Sequence, residues 1–339
     1  MENILELNHI SFSFRTYGGI VKAVRDVSFS VRPGEILGVV GESGCGKSVT
    51  AQSILRLNPE NVGFFESGSI LYQGEDIVKK SEKEMRKIRG SEIGFVFQDP
   101  MTSLNPTMRV GTQIAEMIRR KKSLGKGKIK EEVVRVLEQV GITDPERRLK
   151  QYPHELSGGM KQRIMIAMAL IGKPKIIIAD EPTTSLDVTI EAQILRLFKK
   201  LSSEMGISVI LITHDLGVIA KLCDRVIVMY GGKIMEKGAV DEIFFQTAHP
   251  YTKGLLESIA TLDTDKNAKL KPIDGTPPDL FSPPPGCPFA ARCQYGMGIC
   301  SKEMPAETEL SEEHCSWCWL QDARAQAVEK IYQKSQGEI

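Results

Sequence analysis

The residues best suited to chemistry stand at Gly41–Ser48, which read GESGCGKS and fit the spacing G-x-x-x-x-G-K-[ST]. Glycines let such a loop curl until successive backbone N–H groups face anionic oxygens, and the helix start behind it adds partial positive charge. Lys47 is then placed for the β and γ phosphates of a nucleotide and Ser48 for Mg²⁺. The candidate contacts are Gly41, Ser43, Gly44, Cys45, Gly46, Lys47, Ser48 and Val49, with Cys45 a small filler. A second element is the apolar run IIIADE, Ile176 to Glu181. Its two carboxylates fall at the edge of a strand where ligands of open α/β sheets bind. Asp180 suits the Mg²⁺ shell, and Glu181 can polarise an attacking water. A third is LSGGMKQR, Leu156 to Arg163. Ser157 reads as an N-cap, and Gly158 and Gly159 leave amides open at the start of a helix expected over Lys161 to Ile171. Two anion-binding helix ends then stand in one chain; if both cannot face one nucleotide within a monomer, two such domains must sandwich it head to tail.

Cysteine is unevenly placed: five of the seven, Cys287, Cys293, Cys300, Cys315 and Cys318, fall in one short stretch. The N-terminal MENILELNHISFSF has no basic segment followed by an apolar core, and no later run is long enough to span a bilayer, so a cytosolic setting is expected. Thiols stay reduced there, which favours metal ligation over disulfides. Four thiols would suit tetrahedral Zn²⁺.

These groups need a scaffold, and the pattern supplies one. The segment VRDVSFSVRPGEILGVV, Val24 to Val40, gives an alternating run, a Pro-Gly turn and a short apolar strand; KIIIA and SVILIT are two more buried strands, each preceded by a helical pattern. Strands alternating with helices predict a parallel α/β sheet. Between them, about 107–170, apolar periodicity turns helical, indicating a helical insertion. The basic run Arg119 to Lys130 reads as a solvated helix end and loop. After about 245 the composition shifts: seven of 17 prolines lie between Pro272 and Pro288, which predicts an extended connector before the cysteines. The last twenty residues read as a helix with a frayed end. Lys plus Arg (44) and Asp plus Glu (43) nearly cancel, so no global basic field draws the chain to nucleic acid.

The phosphate loop, the Asp180–Glu181 strand and the LSGG stretch appear in the order of an ATP-binding cassette, and residues 1–245 resemble that family. The resemblance implies an α/β P-loop NTPase (RecA-like) core with an antiparallel β subdomain and the helical insertion, plus a small loop-rich C-terminal metal-binding module at 246–339. It assigns Gln98 in FVFQDP to Mg²⁺ and the attacking water, Asp187 in SLD to the dimer interface, and His214 to the γ-phosphate. The aromatic that stacks on adenine would be Tyr17, with Phe14 the alternative. Met160 departs from the glutamine common in that place.

Finer wording, DPMTSLNPTMRVGTQI, YPHELSGGMKQR and AHPYTKGLLESI, resembles the ATPase subunits of bacterial dipeptide and oligopeptide importers. This implies ATP-driven peptide import, with a nickel importer or a soluble cassette protein as alternatives. It also implies attachment to the inner face of the plasma membrane through two transmembrane permeases, pairing with a second similar ATPase or with itself, and an extracytoplasmic peptide-binding protein. The same family places four cysteines as Cys287, Cys293, Cys300 and Cys318 stand here, in some members around a [4Fe-4S] cluster. Cys315, in CSWC, is the alternative fourth ligand.

Overall fold

The computed structural model describes residues 2–119, 125–184, 186–258 and 272–325. The strands in chain order are β1 (Leu5–Thr16), β2 (Gly19–Val31), β3 (Ile36–Val40), β4 (Gly63–Tyr72), β5 (Glu75–Asp76), β6 (Ile93–Val96), β7 (Ile176–Asp180), β8 (Ser208–Ile212), β9 (Arg225–Tyr230), β10 (Lys233–Ala239), β11 (Thr308–Glu309) and β12 (Cys315–Ser316). The helices are α1 (Lys47–Ile54), α2 (Glu82–Ile88), α3 (Pro100–Ser103), α4 (Val110–Arg119), α5 (Lys126–Gln139), α6 (Pro145–Arg148), α7 (Gly158–Leu170), α8 (Val188–Met205), α9 (Leu216–Leu222), α10 (Val240–Phe245) and α11 (Pro250–Glu257).

β6, β7, β8, β3 and β9 lie side by side and parallel; β10, β12 and β11 extend the sheet antiparallel beyond β9. Every residue of β3, β7 and β8 is buried, as expected of strands covered on both faces. A second, antiparallel sheet, β2-β1-β4-β5, packs on this core through Leu5, Leu7 and Ile10 against Ile178, Ile210 and Ile227. The helical insertion is there as well: α4, α5 and α7 bury Ile114, Leu137 and Ile164 against one another. The fold class expected from the sequence is the one observed.

Boundaries differ in two informative places. β7 runs one residue later than KIIIA, so Asp180 closes the strand and Glu181 is the first residue beyond it. α7 starts at Gly158 rather than Lys161, because Ser157 accepts the Met160 amide and the glycine pair forms the first helical turn.

The chain beyond 245 is stitched into the same body. Residues 272–289 hold no helix or strand, as the prolines predict. Cys287, Phe289 and Cys300 nevertheless share a core with Val40, Tyr230 and Tyr251. β12 pairs with β10 at Glu236–Ser316 and Lys237–Cys315. Residues 120–124 of the basic run and 326–339 of the expected C-terminal helix lie outside the described residues.

Candidate active site

The phosphate loop sits between β3 and α1. Gly41 has φ 148°, and a Cβ there would stand 2.1 Å from the Met229 carbonyl oxygen. At Gly46, φ 99°, a Cβ would meet the Ala23 carbonyl oxygen at 2.4 Å. Only glycine lets the loop lie this close to β9 and β2. Lys47 is buried, and its Nζ donates to the Gly41 and Glu42 carbonyls at 2.7 and 2.9 Å. The ammonium thus closes the loop from inside, where it can exchange carbonyl partners for phosphate oxygens. Cys45 is buried and burial raises its pKa, in keeping with a filler. Ser43 and Gly44 are exposed, and Val49 packs its half-buried side chain on the core between the sheets.

The Ser48 hydroxyl donates to Asp180 Oδ1 at 2.9 Å. Burial raises the Asp180 pKa, and the Ser48 bond opposes it. A hydroxyl beside a buried carboxylate is the donor set of a hard dication, so these two residues fit Mg²⁺.

Glu181 adopts φ 45°, sparsely populated for a side-chain-bearing residue and common at functional sites. Its N–H donates to the Ile212 carbonyl at 2.9 Å, which ties it to the end of β8. Gln98 Nε2 donates to Glu181 Oε2 at 2.8 Å, the Thr184 hydroxyl donates to the same oxygen at 3.0 Å, and His214 Nδ1 lies 3.5 Å from Oε1. Gln98 follows β6, Glu181 follows β7 and His214 follows β8, so three neighbouring strand ends bring three distant residues together.

The remaining predicted residues fall elsewhere. Ser157 and Gly158 are exposed at the start of α7, which packs on α3, α4, α5 and β6, whereas α1 packs on β1, β2 and β7. Asp187 caps α8 by accepting the Ile190 amide at 2.9 Å; Ser185 lies outside the described residues. Tyr17 is fully exposed at the β1–β2 turn, while Phe14 is half-buried and edge-on to Phe12 at 5.3 Å.

In the C-terminal segment Cys287, Cys293, Cys300 and Cys318 line one cavity of about 20 Å³, walled by Phe289, Trp319 and Pro305. The Met297 N–H donates to Cys300 Sγ at 3.5 Å, and the backbone amides of Phe289 and Ala290, Tyr295 and Leu320 act to lower the pKa of Cys287, Cys293 and Cys318 respectively. Burial pushes the Cys287 thiol up to about 11 and Cys318 up to about 12, and the other thiols of the group add to it. Cys315 is not in that lining; it sits in β12 facing Glu307 and Lys237. Among the described residues no group of three or more His, Cys, Asp or Glu is arranged to hold a metal ion. The four thiols share one cavity, in the number and kind that a four-thiolate group takes, but they are not arranged to hold a metal ion.

This segment meets the loop more closely than residue spacing alone implies. Arg292 Nη1 donates to Glu42 Oε2 at 2.7 Å, the Glu42 N–H donates to the Tyr251 hydroxyl at 2.9 Å, and Phe281 covers Gly18. Nothing in spacing announces such pairs, separated by some 200 residues or more.

Phosphate loop, strand-end carboxylate pair, capped glycine helix and inserted helical bundle together define an ATP-binding-cassette ATPase. Residues 24–184 match the family profile described as ABC transporter, and 235–300 match the one described as oligopeptide/dipeptide transporter, C-terminal region. The dipeptide transport ATP-binding protein DppD of Bacillus subtilis is 57% identical over 326 residues, 96% of this chain and 97% of that one. The oligopeptide transport ATP-binding protein OppD of the same organism is 53% identical over 96% of this chain and 91% of its own length. Among solved structures, the ATP-binding cassette MJ0796, a dimer in a post-hydrolysis state bound to ADP and Pi, superposes with TM-score 0.63 at 27% identity, over 70% of this chain and 98% of that one. The chain belongs to the ABC transporter family, among its dipeptide and oligopeptide transport ATP-binding proteins.

Proposed function

We propose that this chain is the ATP-hydrolysing subunit that powers import of dipeptides and oligopeptides. The observation that carries the reading is the meeting of Ser48 with Asp180 and of Gln98, Glu181 and His214 with one another at the ends of β6, β7 and β8. In this reading the loop amides and Lys47 bind the triphosphate, and Ser48, Asp180 and Gln98 would hold Mg²⁺, which would supply charge neutralisation to the phosphates. Glu181 accepts the proton of the attacking water, Gln98 orients that carboxylate, and His214 meets the γ-phosphate. Tyr17 stacks on the base. Ser157, Gly158 and Gly159 of a second ATPase subunit, identical or similar, close over the same nucleotide, with Asp187 near that interface.

A cavity of about 300 Å³ beside the Gln98 loop is lined by Leu55, Leu57, Phe97, Met117, Met165 and Met168, and Lys83, Arg86 and Lys87 lie next to it. Apolar, methionine-rich and rimmed with cations, it suits a short amphipathic helix with acidic flanks, such as a permease subunit could present on the inner face of the membrane. No helix among the described residues is long and apolar enough to cross a membrane, so such attachment would be through partners. We take residues 1–245 as the cassette, with the helical subdomain at about 107–170, and 246–339 as its accessory segment.

Peptide rather than nickel transport is favoured by the C-terminal profile and by the names of the relatives. Uptake of labelled dipeptides, longer peptides and nickel in cells lacking this subunit tests the assignment: loss of peptide uptake alone supports it, and loss of nickel uptake alone refutes it.

We further propose that Cys287, Cys293, Cys300 and Cys318 bind metal, with [4Fe-4S] ahead of Zn²⁺. Four thiols lining one cavity support it, and the Met297 amide on Cys300 adds to it, since N–H···S bonds stabilise thiolate ligands. Iron, acid-labile sulfide and zinc per polypeptide, after purification without oxygen, test this. About four irons and four sulfides are expected for the cluster; stoichiometric zinc would replace it, and no metal would refute ligation.

A further inference from the structure

Glu42 poses a problem within the phosphate loop: its carboxylate lies in the loop that must accept a polyanion. The C-terminal segment answers it. Arg292, immediately before Cys293, is 6% exposed at its side chain and spends its donors on three segments. Nη1 reaches Glu42 Oε2 at 2.7 Å and the Tyr230 hydroxyl at 2.9 Å; Nη2 and Nε reach the Ile273 and Asp274 carbonyls, each at 2.8 Å. The guanidinium also lies over the rings of Tyr230 and Phe289. A second residue from beyond the cassette, Tyr251, accepts the Glu42 amide. Glu42 is thus held at side chain and backbone, and its carbonyl takes the Lys47 ammonium at 2.9 Å.

We propose that Arg292 is a positioning residue for nucleotide binding: it neutralises Glu42 and fixes the loop's curl, so that the C-terminal segment supports the phosphate site of its own chain. A planar fork held in a buried, multiply bonded geometry can do this, and a mobile surface cation cannot. Without Arg292, Glu42 is left charged beside the triphosphate and the loop loses one of its two anchors. The proposal rests on the nucleotide reading of the loop and is independent of any metal at the cysteines.

The test is the affinity of the full chain for a fluorescent ATP analogue, together with KM and kcat for ATP. Arg292→Ala should weaken binding and raise KM about tenfold, with kcat at saturating ATP near wild type. Arg292→Lys should restore part of the loss. Glu42→Gln should bind close to wild type, and Glu42→Gln with Arg292→Ala should bind far better than Arg292→Ala alone, because no charge remains to neutralise. Wild-type affinity in Arg292→Ala, or equal weakness in the double and the single variant, overturns the proposal. Should Arg292→Ala fail to fold, Arg292→Lys with and without Glu42→Gln gives the same comparison. The underlying reading is judged separately: wild type and Lys47→Ala that both fail to bind would remove the nucleotide site itself, before any Arg292 variant is compared.

Discussion

Gln98 and Glu181, 83 residues apart in sequence, are joined by a 2.8 Å hydrogen bond from the glutamine amide to the carboxylate. The bond links the ends of two adjacent parallel strands. It places the residue proposed to activate water in contact with the loop that borders the proposed permease groove, so a shift of that loop moves the base.

Glu181→Gln should retain ATP binding and lose hydrolysis by at least about 100-fold, because an amide cannot accept the water's proton. With MgATP present the variant should elute as a persistent dimer on gel filtration. Turnover at the wild-type rate would remove Glu181 from its role.

Gly41→Ala should be more damaging than its single methyl implies. The added Cβ would stand 2.1 Å from Met229 O and 2.8 Å from Cys45 Sγ, at a φ that L side chains avoid. A loss of about 2 kcal/mol or more in unfolding free energy is expected by denaturant titration, with weakened nucleotide binding.

If Ser157 and the start of α7 act in trans, inactive variants should complement one another. Ser157→Arg spoils the partner's site and Lys47→Ala spoils its own, so a mixed pair keeps one intact composite site. Mixing the two purified variants should recover a clear fraction of ATPase activity above either alone. No recovery would show that this chain does not supply the second half to a copy of itself.

Acid should loosen the joint between cassette and tail. His249 is fully enclosed, and burial lowers its pKa to about 4, with the Glu236 carboxylate opposing. Its unprotonated Nδ1 accepts the Tyr251 amide at 3.0 Å. From the ordinary 6.5 downward the unfolded chain takes up the proton first, so this contribution to stability is intact above pH 6.5 and is lost between about 6.5 and 4. Urea midpoints at pH 7.5, 5.5 and 4.5 should fall with pH in wild type, and less steeply in His249→Gln; parallel slopes would exclude His249.

Much of the candidate nucleotide site could be read from the sequence because its chemistry is local. GESGCGKS and IIIADE each carry their own turn, glycine and charge requirements within a few residues, and a buried parallel strand reads as a continuous apolar run. The exact turn at Glu181 was less legible, since its φ depends on the bond from its amide to Ile212 in another strand. Least legible was the attachment of the tail: Arg292 to Glu42, and β12 to β10, are long-range pairings that no periodicity encodes. That Cys287, Cys293, Cys300 and Cys318 line one cavity while Cys315 lies in β12 could not be read from spacing alone, since CSWC offers Cys315 and Cys318 alike.

That short strand has a consequence for how the molecule can be divided. β12 shields the flank of β10, and next to it Glu236, with no exposed surface, is satisfied by His314 Nε2 at 2.8 Å and by the amides of Ala248 and His249. A chain cut after residue 300 would keep most of the cysteines yet strip His314 from a buried carboxylate and bare a row of sheet amides to neighbouring molecules. Such a fragment would be sticky rather than merely smaller: the last described strands act as the hem of the central sheet, well beyond residue 245, where the composition shifts.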